Sequence, residues 1–188
     1  TGRRDHALFT LAVTTGLRIS EITSLTTAQI HLGGAPFVEC DGKGRKHRST
    51  PINMATCDVM RGYLQERSTH PGIALFPGPR GRHLSRDAVE HRLHTHLESA
   101  GRHCSTLPGK HLTFHVLRHT CAMNLLHAGV DITVISLWLG HEQTTTTDIY
   151  LHHDMQTKLE AMERFLHAAA APGIYTPPAD ILAWLDTL

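Results

Sequence analysis

The sequence predicts a mainly α-helical chain with a small antiparallel β-sheet, an α+β class, on three observations. Apolar residues recur at helical spacing in several segments longer than ten residues. Ser, Asp and Gly stand where such segments start and stop. One stretch, "PFVEC", "DGKGRK" and "HRSTPI", reads instead as two strands around a glycine-bearing loop. The length of 188 residues favours one domain, and 40% hydrophobic residues suffice for a core.

Each element follows in order. "RDHALFTLAVTTG" has apolar residues at 8, 9, 11, 12 and 13 and stops at Gly16, which predicts a buried helix. "SEITSLT" predicts a second helix with Ser20 as its N-cap. The hairpin comes next, then a helix from Thr56 to Ser68, then a loop at "PGPRG". Ser85 caps "SRDAVEHRLHTHLESAG", and residues 115–128 form a helix ending at Gly129. Asp131 caps "DITVISLWLG", and residues 154–170 predict a last long helix. Beyond it, "APGIYTPPAD" reads as a linker. The closing segment reads as a short amphipathic helix with Ile181, Leu185 and Leu188 on one face.

Composition excludes several classes of function. The start of the chain has an apolar stretch broken by threonines and closed by Arg18, unlike a secretory leader. No apolar run approaches the roughly 18 residues of a membrane span. Cys40, Cys57, Cys104 and Cys121 show no CxxC spacing, which predicts reduced thiols in a cytoplasmic protein. Net charge is only +1, but the acidic excess lies beyond Asp154 and leaves the rest positive. Fourteen of the 18 basic residues are arginines, the side chain suited to forked contacts with phosphate. The densest basic cluster is "KGRKHR", with Lys43, Arg45, Lys46 and Arg48; alone it fits a solvated face as well as a DNA contact.

Histidine is abundant, at 17 residues, and two stretches have ligand-like spacing. "HRLHTH" (His91, His94, His96) has no carboxylate or cysteine cluster beside it and reads as a polar helix face. "HVLRH" sets His115 and His119 four apart, on one helical face, without the glutamate of a zinc protease. No metal site is predicted.

The remaining polar signals form a series. Arg18 lies between two helices with Glu21 three residues on; Lys43 lies at the hairpin tip; His115 and Arg118 share a helix face. His141 follows a helix in "LGH", and Tyr150 closes "TTTTDIY". Singly, Arg18 could pair with Glu21, His141 could cap a helix and Tyr150 could fill a core. In this order, with the words "TGLRISE", "GKGRKHR", "HVLRHTCA", "WLGH" and "TTTDIY", they resemble the tyrosine recombinase (phage integrase) family over about residues 3–165. That family's pattern is Arg, Lys, His-x-x-Arg, His or Trp, then Tyr.

The resemblance implies the fold of that family's catalytic domain over residues 1–170, with 171–188 as linker and C-terminal docking helix. It also implies an N-terminal core-binding domain that this chain lacks. The implied activity is site-specific, metal-independent and cofactor-free DNA strand transfer through a 3′-phosphotyrosine. Integration, excision, resolution and transposition are its possible settings. Tyr150 is implied as nucleophile, Arg18 and Arg118 as phosphate clamps, and His141 as a further donor. His115 is implied as the base and Lys43 as the acid for the departing 5′-oxygen. Phosphoryl transfer needs mainly positioning and charge neutralisation, which guanidinium forks supply. Glu21 and His119 are expected to support this set from behind, Glu21 having a plain exposed carboxylate as its other reading. Arg45, Lys46 and Arg48 are expected on DNA. Tyr63 suits a core, and Tyr175 falls beyond the motif order. Partners expected are double-stranded DNA and further copies of the chain, in a tetrameric synapse tied by the helix 178–188, whose other reading is packing on its own domain. The setting is cytoplasmic and DNA-associated, with no membrane. Alternatives are type IB topoisomerase-like relaxation, a catalytically silent DNA-binding module, and a zinc hydrolase on His115 and His119.

Overall fold

The computed structural model describes residues 2–41, 47–68, 72–107, 109–110, 112–140, 159–160 and 162–163. Lys43, Arg45, Lys46, His141, Tyr150, Tyr175 and the expected tail helix fall outside these residues, as does most of the helix expected over 154–170.

Helix α1 (Gly2–Thr15) buries Ala7, Leu8, Leu11 and Ala12, one stripe at helical spacing, and ends where Gly16 turns left-handed at φ 64°. Helix α2 (Ile19–Ser24) starts one turn later. Its cap differs from expectation: Ser20 is exposed within the first turn, and Arg18 occupies the N-cap position with extended backbone. The Arg18 main-chain N–H donates to Glu21 Oε2 at 2.7 Å, so Glu21 closes this helix end from its third position.

The sheet has three antiparallel strands in the order β1 (Ile30–His31), β2 (Phe37–Asp41) and β3 (His47–Pro51). The hairpin is β2–β3, paired from Phe37 with Pro51 to Asp41 with His47. Strand β1, pairing Ile30 with Val38, has no counterpart in the sequence reading. Alternation sends Val38 and Cys40 inward.

Helix α3 (Met54–Arg67) packs along α1. It begins two residues before the expected Thr56, because Asn53 caps it by accepting the Thr56 N–H at 2.8 Å. Tyr63 is core, its hydroxyl donating to the Leu75 carbonyl at 2.7 Å. Helix α4 (Arg86–Gly101) starts at the expected cap, Ser85, which accepts the Ala88 N–H. It is fastened to α1 at the buried Asp5, which receives Arg4, Arg92 Nη1 at 2.9 Å and His96 Nε2 at 3.1 Å. His96 also meets Phe9 edge-on. Among the described residues no group of three His, Cys, Asp or Glu could hold a metal ion, and no helix is long and apolar enough to cross a membrane.

Helix α5 (Phe114–His127) and helix α6 (Ile132–Leu139) share a second core of Cys121, Ala122, Leu125, Val130, Ile135, Trp138 and Leu139. Asp131 caps α6 through the Thr133 N–H, and Gly140 ends it at φ 71°. The second core meets the first at the end of α1. Trp138 Nε1 donates to the Thr15 carbonyl at 3.1 Å, and Leu139 with Cys121 closes over Gly16. Cys40, Cys57 and Cys121 are buried and Cys104 is exposed, none of the four in a disulfide.

Candidate active site

Four elements deliver arginines, a histidine and a carboxylate to one place. The turn between α1 and α2 supplies Arg18, and the first turn of α2 supplies Glu21. Strand β3 supplies Arg48, and α5 supplies His115 and Arg118. These lie beside the end of α6, whose last carbonyls carry partial negative charge.

Arg118 is 2% exposed and is held by main-chain oxygen on two sides. One Nη donates to the Gly16 carbonyl at 2.6 Å and the other to the Leu139 carbonyl at 2.8 Å. The left-handed Gly16 turn is what presents the first of these. Burial, then repulsion from Arg18 and Arg48, pulls the Arg118 pKa down to about 10, against the pull of Glu21. It therefore stays protonated at neutral pH, a charge held in place before any anion arrives.

Arg18 is held more loosely. Its guanidinium lies 3.4 Å from the Gly140 carbonyl and 3.3 Å from Glu21 Oε1, and a third of its side chain is exposed. Glu21 is not an exposed carboxylate: its side chain is 4% exposed and receives both Arg18 and Arg48. Burial pushes its carboxyl up. The charge and hydrogen bonds of Arg48, then those of Arg18, more than reverse this, and the net shift is downward.

Arg48 departs from the sequence reading. Expected to reach DNA beside Arg45 and Lys46, it turns inward, with 10% of its side chain exposed and both Nη atoms on Glu21. Alternation along a short strand cannot reveal this, because the partner carboxylate lies 27 residues upstream. Arg45 and Lys46, like Lys43, His141 and Tyr150, are outside the described residues.

His115 is exposed, and the ring of His119 meets it edge-on, with centroids 4.4 Å apart and planes at 85°. The i, i+4 spacing thus brings the two rings together on one face of α5.

A cleft of about 390 Å³ is lined by Arg18, His115 and Arg118 with Thr113, Arg86 and Glu90. The last two belong to α4 and form an i, i+4 ion pair at 3.0 Å. Sequence reasoning missed them. The pair itself is visible after the Ser85 cap, but only the packing of α2 on α4 places it beside Arg18. The cleft gathers guanidiniums and an imidazole, side chains of the kind suited to phosphate-oxygen recognition.

The sequence pattern of the Phage integrase family matches residues 1–157. A protein of Sinorhizobium fredii named as a candidate integrase/recombinase, y4rC, is 42% identical over 187 residues, covering 100% of this chain and 56% of its own. Tyrosine recombinase XerC of Neisseria gonorrhoeae is 38% identical over 152 residues, covering 80% of this chain and 48% of its own. The chain thus spans about half the length of the curated relatives it matches. Among solved structures, the XerH site-specific recombinase bound to palindromic difH substrate, a post-cleavage complex, superposes with a TM-score of 0.63. It is 27% identical, with 86% of this chain and 45% of that one covered.

Proposed function

Because this chain belongs to the phage integrase family, we propose that it carries the catalytic part of a site-specific DNA recombinase, joining DNA transiently to Tyr150 as a 3′-phosphotyrosine. The observation that carries the reading is the convergence of Arg18, Arg118 and His115 on one cleft, from elements a hundred residues apart. Both guanidiniums are held by main-chain carbonyls, Arg118 at Gly16 and Leu139 and Arg18 at Gly140, and both line the cleft in which a phosphate would sit. A charge developing on nonbridging oxygens is then met without reorganisation.

The roles follow from chemistry. Tyr150 attacks phosphorus as its proton leaves, with His115 as the acceptor. A phenol of pKa about 10 needs both that base and the positive site. The 5′-oxygen departs and takes a proton from Lys43. His141 donates to the same nonbridging oxygens as Arg18 and Arg118. His119 holds the His115 ring, and Glu21 holds Arg18. The phosphotyrosine keeps the bond energy, so a second 5′-hydroxyl can reverse the step on a new strand. No cofactor takes part. The partner is double-stranded DNA, contacted also by Arg45 and Lys46. Several copies assemble on it, in a tetrameric synapse tied by the segment 178–188. The names of the relatives, recombinases and integrases, give the relaxation reading no support.

The test is a covalent trap. Tyr150→Phe removes one oxygen and should abolish the protein–DNA adduct while DNA binding stays nearly unchanged. An adduct that survives in Tyr150→Phe, or that is lost in Tyr175→Phe instead, overturns the assignment.

A further inference from the structure

Glu21 divides itself unequally between two cations. Arg48 takes both oxygens, Nη1 to Oε1 at 2.7 Å and Nη2 to Oε2 at 2.8 Å, the parallel fork that makes the strongest carboxylate pair. Arg18 gives Glu21 its main-chain N–H at 2.7 Å, while its guanidinium reaches Oε1 only at 3.3 Å. Arg48 is also locked from above. A Cβ on Gly140 would lie 2.5 Å from its Nη1 and 3.0 Å from its Cδ and Cζ, so the glycine gives the fork its room. Nothing in this arrangement sends Arg48 toward a ligand.

The consequence concerns Arg18. It lies three residues from Glu21 on the same turn, near enough to make the forked pair itself once the carboxylate is vacant. A guanidinium so captured would have its field offset by the carboxylate and be drawn back from the cleft. The site would also be one positive charge poorer, since Glu21 would then be balanced at the expense of a phosphate ligand. We propose that Arg48 is a positioning residue: by occupying Glu21 it keeps the Arg18 guanidinium forward and available to a phosphate oxygen. The inference rests on the strand-transfer reading only for whose phosphate that is.

The test reads Arg18 without DNA. The whole chain is treated with phenylglyoxal, and modification of Arg18 is followed by peptide mass spectrometry while inorganic phosphate is titrated in as protectant. Arg48→Met should weaken protection by about tenfold or more, the scale of one charged hydrogen bond. Arg48→Met with Glu21→Gln removes the captor as well, and should protect at least about threefold better than Arg48→Met alone. Arg48→Lys, which keeps the charge but not the fork, should fall between. Melting curves identify the folded fraction on which each constant is measured; if Arg48→Met does not fold, the double variant and Arg48→Lys decide by the same criteria. Protection unchanged in Arg48→Met, or a double variant no better than the single one, overturns the proposal. The second result would mean that Arg48 binds phosphate directly or only props the fold. Adduct formation on DNA recovered by covalent trapping is measured in parallel. Failure of every variant there, the unaltered protein included, counts against the strand-transfer reading alone.

Discussion

Burial alone would hold the Glu21 carboxyl in its neutral form; Arg48 and then Arg18 reverse the sign and keep it ionised. A carboxyl held below its unfolded value, ordinarily 4.5, contributes stability that is fully present above that value. The contribution is lost as pH falls through the folded pKa. Asp5 behaves in the same way: burial raises it, but His96, Arg4 and Arg92 lower it further. Thermal midpoints should therefore fall steeply below about pH 4.5. In Glu21→Gln the acid fall should be shallower, because the variant has already lost the pair. Its midpoint at neutral pH should drop by the equivalent of about 3 kcal/mol, as for other buried pairs broken on one side. An acid limb unchanged by the substitution would show that Glu21 does not titrate in this range.

At the scale of elements, the left-handed turn after α1 is the piece on which the others rest. Gly16 ends the helix, gives its carbonyl to Arg118, and has Leu139 and Cys121 packed where a side chain would go. A Cβ there would lie 2.5 Å from Leu139 Cδ2 and 3.2 Å from Cys121 Sγ, in backbone at φ 64°. Gly16→Ala should cost about 2 kcal/mol or more through the conformation and the overlap together. It should also lower adduct formation beyond what lost folding explains, because the Leu139 carbonyl moves with its side chain. Differential scanning calorimetry with a single-turnover cleavage assay separates the two effects.

The elements also show how much the sequence disclosed. Ser85, Asp131 and Gly140 were legible as helix boundaries, since a cap is a local contest between one side chain and three or four residues. Ser20 misled because the N-cap is Arg18, a residue no cap preference favours there, and Glu21 closes the helix end from its third position. Strand β1 was hidden by being two residues long and stable only through its pairing with Val38 and Phe37. Of the cleft, motif order brought out Arg18, His115 and Arg118. The inward turn of Arg48 and the approach of Arg86 and Glu90 depend on packing between segments far apart in the chain.

For the whole molecule, a net charge of +1 conceals a cleft built around guanidiniums. Attraction to DNA should come from that local field and from counterion release, not from global charge. Affinity for DNA should fall by about a thousandfold between 50 and 200 mM salt if six phosphates are engaged. Arg86→Ala should make the salt slope shallower by about 0.9 if that side chain takes one of them. Fluorescence anisotropy over a salt series measures both, and an affinity indifferent to salt would remove phosphate contact as the source of binding.

The two carbonyls that grip Arg118 also set an order of events during synthesis. One lies 102 residues upstream of it and the other 21 residues downstream. A growing chain therefore carries Arg18, Glu21 and Arg48 long before the second of those carbonyls exists. Until Leu139 has been added and folded back onto the Gly16 turn, the Arg118 guanidinium has only one of its two carbonyl partners. The Arg118 guanidinium is thus fixed only after the scaffold on both sides of it has been made.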